Sequence, residues 1–96
     1  MFKKSAQRLD PPPGVKTLPQ AAEVLSVWAA PEQAQQVTLR TTWEDPAAWG
    51  LMLVDIARHA ARAYGMEGRS EVETLARIKQ FFDAEWSHPT DAVTQV

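Results

Sequence analysis

The chain has 96 residues, a formal net charge of -2, 45% hydrophobic and 23% charged residues, and no cysteine. That length holds one domain with a modest core and excludes two independent ones. The missing cysteines remove disulfides, thiolate nucleophiles, iron-sulfur clusters and cysteine zinc sites together, while the balanced charge disfavours attraction to nucleic acid or to an anionic membrane.

At the N-terminus, Met1-Phe2-Lys3-Lys4 has the basic start of a signal peptide, but Ser5, Gln7, Arg8 and Asp10 stand where an apolar stretch is required. The longest mainly apolar run, Trp49 to Val54, falls far short of the ~20 residues that cross a bilayer. A cytoplasmic location is expected. Residues 1–20 hold Lys3, Lys4, Arg8 and Lys16 against the single acid Asp10 and read as a flexible basic, proline-rich arm. Within it, Pro11-Pro12-Pro13-Gly14 is expected in extended polyproline II, either as a solvated spacer or as a ligand for an aromatic groove. A single compact domain is expected over residues 21–88 and a tail over 89–96.

Val24, Leu25, Val27 and Trp28 are β-formers, although Ala21, Ala22, Leu25, Trp28 and Ala29 also fit helical spacing; Pro31 as a stop favours the strand. From Gln36 to Trp43 the sequence alternates, predicting a strand with Val37, Leu39 and Thr41 facing inward and Thr38, Arg40 and Thr42 outward. Pro31 to Gln35 then closes an antiparallel hairpin. Two strands alone are marginal, so a further strand or a second copy pairing along the sheet edge is expected to extend them.

Asp45 is a favoured helix cap and Pro46 a favoured first helical residue. From Trp49 to Tyr64 the apolar and small positions sweep an arc of roughly 200°, which predicts a central helix buried on two sides. Its large residues are Trp49, Met52, Leu53, Ile56 and Tyr64; Gly50, Val54, Ala57 and Ala61 form a smaller flank for close approach. Gly65 and Gly68 supply a turn, Ser70 to Glu73 is a capping box, and Leu75, Ile78, Phe82 and Trp86 form the stripe of a second helix ending at Ser87-His88-Pro89. The predicted class is α+β: a hairpin packed on a central helix and a second, C-terminal helix.

Trp43, Asp45-Pro46, Trp49-Gly50-Leu51, Ala57-Arg58-His59 and Tyr64 together resemble a family of short bacterial proteins, domain of unknown function 5076. The likeness covers about residues 20 to 88. It implies a compact strand-strand-helix-helix domain and no activity, cofactor or catalytic residue.

Asp55 and His59 stand four apart on one helix face, the spacing by which a carboxylate orients an imidazole base. No serine or threonine is placed as a nucleophile beside them, and such pairs are routine on exposed helices. His59 and His88 lie on different segments with no ligand spacing, so no metal is predicted, and no glycine motif suggests a nucleotide or other cofactor. Arg58 and Arg62 share the polar stripe, and Arg40 points out from a neighbouring strand. Arg40, Asp55, Arg58, His59 and Arg62 are therefore the candidate binding residues, converging on a carboxylate or phosphate.

Trp28 and Trp43 either cap the core or form an interface anchor. The leading expectation is a small non-catalytic interaction or regulatory domain whose partner is another protein or a copy of itself. The alternative is an anion-binding protein or small acid-base enzyme using Asp55, Arg58, His59 and Arg62. Nucleic acid is a weak third reading, because the aromatics that would stack on bases are needed inside.

Overall fold

The computed structural model describes residues 7–90. The readings placed on Met1 to Lys4 and on residues 91–96 lie outside the described residues. Element order is β1 (Leu25–Trp28), β2 (Gln36–Leu39), α1 (Ala47–Met66) and α2 (Glu71–Ser87), preceded by a 3-10 turn at Pro13–Thr17. The class is α+β, with an antiparallel two-stranded hairpin and two helices.

Pro12 has the extended geometry expected of it, φ -60° and ψ 144°, but the chain tightens directly afterwards into the 3-10 turn. Pro13 starts that turn because its fixed φ suits a first helical position. Further back, the Arg8 guanidinium lies 3.5 Å from the Glu23 carboxylate and 5.7 Å from the centre of the Trp28 ring. An exposed ion pair of this kind contributes a few tenths of a kcal/mol, so the contact guides the segment more than it fixes it.

In the hairpin, Leu25 pairs with Leu39 and Val27 with Val37, while Ser26 faces Thr38 and Trp28 faces Gln36. Residues directly opposite share a face, so one side of the hairpin is wholly apolar and the other carries Trp28. β2 stops at Leu39, short of the alternation in the sequence. Arg40 still donates its amide to the Val24 carbonyl at 2.9 Å, but Thr42 takes a φ of 65°, which turns the backbone out of the ladder.

The exit from the hairpin is fastened to α1 by two tryptophans. Trp43 meets Trp49 edge-on with ring centres 5.7 Å apart, and the Trp49 indole donates to the Thr41 carbonyl at 2.9 Å. Asp45 accepts the Ala47 amide at 2.9 Å, so the helix begins just past Pro46. At the other end, Gly68 at φ 99° reverses the chain and the Arg69 amide reaches back to the Tyr64 carbonyl. Only glycine adopts that φ without a Cβ penalty. The Ser70 hydroxyl then accepts the Glu73 amide at 3.1 Å and starts α2. Replacing Asp45 or Ser70 by alanine is expected to cost about 1 kcal/mol each, read as a lower thermal midpoint. After α2, Thr90 folds back, its hydroxyl donating to the Glu85 carboxylate at 2.9 Å.

The helices meet along the small-residue flank. Ala61 is fully buried and Thr74 nearly so, with Ala57, Leu75 and Ile78 half-buried around them. A Cβ on Gly65 would stand 3.4 Å from the Glu71 Cβ, which shows how closely the chain doubles back. The expectation of a helix buried on two sides is corrected. No Cα of either strand comes within 8 Å of a helical Cα. Leu53, Ile56 and Tyr64 of the large-residue arc remain exposed. The exit of the hairpin is fastened to the first turn of α1, where Trp49 meets Trp43 and Thr41.

Candidate functional site

α1 presents Asp55, Arg58, His59 and Arg62 along one face, at spacings of three and four that stack successive turns. Because Gly65 to Arg69 returns the chain tightly, the first turns of α2 lie beside that face. Asp55, Arg58, His59 and Arg62 line a cleft of about 250 Å³ together with Glu71 and Leu75. Four of the five sequence candidates are thus brought together. Arg40 is the correction: it lines a separate hollow on the hairpin with Glu23 and Thr38, and its Nε donates to the Glu23 carbonyl at 3.1 Å. Arg40 lines no part of the cleft between α1 and α2.

Glu71 and Leu75 were not among the candidates. The signal for them was present in the capping box, since a helix starting at Ser70 after so short a turn must place its first two turns against the last turns of α1.

Among the described residues, the side chains of Asp55, Arg58, His59 and Arg62 make no hydrogen bond or ion pair with one another. Asp55 therefore does not orient His59, and the imidazole lacks the partner that base catalysis would use. Arg58 and Arg62 line the cleft together with Asp55 and Glu71, two guanidiniums against two carboxylates. All four α1 side chains are exposed, and water screens them. No group of three or more histidine, aspartate or glutamate side chains is placed to hold a metal ion among the described residues. Nor is any described helix long and apolar enough to cross a membrane.

A second hollow, of about 440 Å³, lies at the turn between the helices, where Arg69 stacks 5.2 Å from the centre of the Tyr64 ring. It reaches Thr74 and Ile78 at the buried seam.

Fold and cleft define a small α+β domain in which a β-hairpin and a helical hairpin are joined by a tryptophan-packed linker. The chain belongs to the family described as domain of unknown function 5076, whose model matches residues 8–90. The match starts at residue 8, well before residue 20 where the likeness read from sequence begins. Among solved structures, one from the photosynthetic bacterium Rhodopseudomonas palustrus CGA009 is 41% identical with a TM-score of 0.76, covering 96% of this chain and 95% of that one. That protein is described provisionally as a pyruvate dehydrogenase. A search of curated proteins finds no match.

Proposed function

We propose that the chain is a small non-catalytic interaction domain. The observation that carries this reading is the apolar surface left uncovered on the helices: Leu51, Val54, Phe81, Phe82 and Trp86 are all exposed. Soluble monomers rarely leave so many large side chains of two neighbouring helices wet, and contiguous apolar patches mark interaction surfaces. The test is the size at which the native chain elutes from an extract of its source cell. Elution well above 10.7 kDa is expected; elution as a single free chain overturns the reading.

A second reading takes the cleft between α1 and α2 as a site for a small carboxylate. It is favoured by the gathering of Arg58 and Arg62 there, and the provisional description of the Rhodopseudomonas protein suggests pyruvate as the probe. Asp55 and Glu71 oppose it by cancelling the guanidinium charge at the same place. Calorimetric titration of pyruvate is therefore expected to give no saturable heat. Saturable binding abolished by Arg58→Gln with Arg62→Gln, and turnover lost in His59→Ala, would instead establish the anion-binding or acid-base alternative.

A further inference from the structure

The hollow at the turn between the helices is built from both of them. Ser70, Thr74 and Arg77 follow one another along one face of α2 at spacings of four and three, and Tyr64 from the last turn of α1 and Arg69 from the connecting segment complete the lining. Thr74 is the one buried polar residue among those described, only 9% exposed. Its amide is spent on the Ser70 carbonyl at 2.9 Å. Its hydroxyl makes no hydrogen bond among the described residues, although a threonine in a helix can turn that group back to the carbonyl four positions earlier. No described buried side-chain oxygen is both closed to solvent and without a partner, so the Thr74 oxygen keeps an open surface on the hollow that Thr74 lines. A donor and two lone pairs are left there for a ligand.

The arginines are prepared in a complementary way. Arg69 lies 5.2 Å from the centre of the Tyr64 ring, and Arg77 lies 4.3 Å from the centre of the Phe81 ring. Each guanidinium is held by its flat face, and its N–H groups, which lie in the plane, are left at the edge. Arg77 gives one of them to the Gln80 side chain at 2.9 Å, and neither arginine has a carboxylate partner among the described residues. In the lining only Glu73 opposes the two guanidiniums, whereas the cleft that holds Arg58 and Arg62 sets two carboxylates against two. At about 440 Å³ the hollow has room for a small anion.

We propose that this hollow binds inorganic phosphate. Arg69 and Arg77 donate to its oxygens through charge-assisted hydrogen bonds, the stronger class, and the Thr74 hydroxyl donates from the buried seam. Glu73 selects the anion. At neutral pH inorganic phosphate keeps at least one proton that a carboxylate accepts, while sulfate keeps none and a phosphomonoester, with a last pKa of about 6, has mostly lost its own. An anion without that proton meets Glu73 as a like charge. The site lies apart from the apolar surface that carries the interaction reading and does not depend on it.

The isotope-labelled full chain, titrated with sodium phosphate at neutral pH and constant ionic strength, tests this by nuclear magnetic resonance. The side-chain N–H signals of Arg69 and Arg77 and the amide of Thr74 are expected to move and saturate, with a dissociation constant of about 1 mM or tighter. Arg69→Gln with Arg77→Gln is expected to weaken binding at least ~10-fold, and Thr74→Val, which keeps the shape and removes the hydroxyl, to weaken it ~10-fold. Lys79→Gln removes an exposed cation outside the hollow and is expected to leave binding unchanged. Sulfate is expected to bind at least ~10-fold more weakly than phosphate, and Glu73→Gln to narrow that difference. Should Thr74→Val fail to fold, the arginine pair decides, since both side chains are exposed and leave the seam intact. No saturable shift with phosphate overturns the proposal, as does binding that survives the loss of both arginines. Sulfate binding as tightly as phosphate, or glycerol phosphate binding more tightly, overturns the choice of inorganic phosphate.

Discussion

Ala61→Leu is expected to lower the stability of the chain by about 2 kcal/mol, moving the thermal midpoint down by about 10 °C. Ala61 is the one described apolar residue with no exposed surface, and it sits where α1 and α2 press together. Three added carbons have no void to enter there. Either the helices move apart, exposing Thr74 and Ile78, or the new side chain is forced off its rotamer. Ala76→Leu is the control, since Ala76 is exposed on α2 and the same change there is expected within about 0.5 kcal/mol of neutral. Equal effects at the two positions would show that the seam is not close-packed.

Trp49→Ala carries the second large effect, an expected loss of about 3 kcal/mol with the hairpin coming loose from the helices. Trp49 is half-buried, holds the edge of Trp43 and donates to the Thr41 carbonyl, so it joins the two halves of the molecule at one place. Trp49→Phe retains an aromatic ring and removes the hydrogen bond, and is expected to cost about 1 kcal/mol. The near-ultraviolet circular dichroism arising from the Trp43 and Trp49 pair is expected to vanish in Trp49→Ala. An unchanged spectrum would mean that the linker does not depend on this contact.

Both expectations turn on features that the sequence states only in part. Most of the element order was legible: alternation marked β2, Pro31 favoured a strand for β1 over the helical spacing that Ala21, Ala22, Leu25, Trp28 and Ala29 also fit, Asp45-Pro46 and Ser70 to Glu73 marked the two helix starts, and Ser87-His88-Pro89 marked the end of α2. These signals are local, since each depends on one residue's φ range, its capping oxygen or its neighbours a few positions away. The end of β2 was not legible, because nothing in Arg40-Thr41-Thr42 announces that Thr42 will take a positive φ. For the cleft, helical spacing alone put Asp55, Arg58, His59 and Arg62 on one face. It could not show that Arg40 lies elsewhere or that Glu71 and Leu75 complete the lining, because those depend on where separate elements are set down.

The sequence by itself determined the order of the hairpin and the two helices, where each helix starts, and that α1 is too apolar around its circumference to be an ordinary surface helix. That last inference was sound in its chemistry and incomplete in its geometry. Only the tertiary structure decided that the chain covers the Ala57 and Ala61 flank with its own α2 and leaves the opposite arc and the far end of α2 open. Amphipathic pattern specifies that a surface must leave water, since burial energy follows apolar area whatever supplies the cover. It does not specify whose atoms provide that cover, and here α2 covers the Ala57 and Ala61 flank while Leu53, Ile56 and Tyr64 stay exposed.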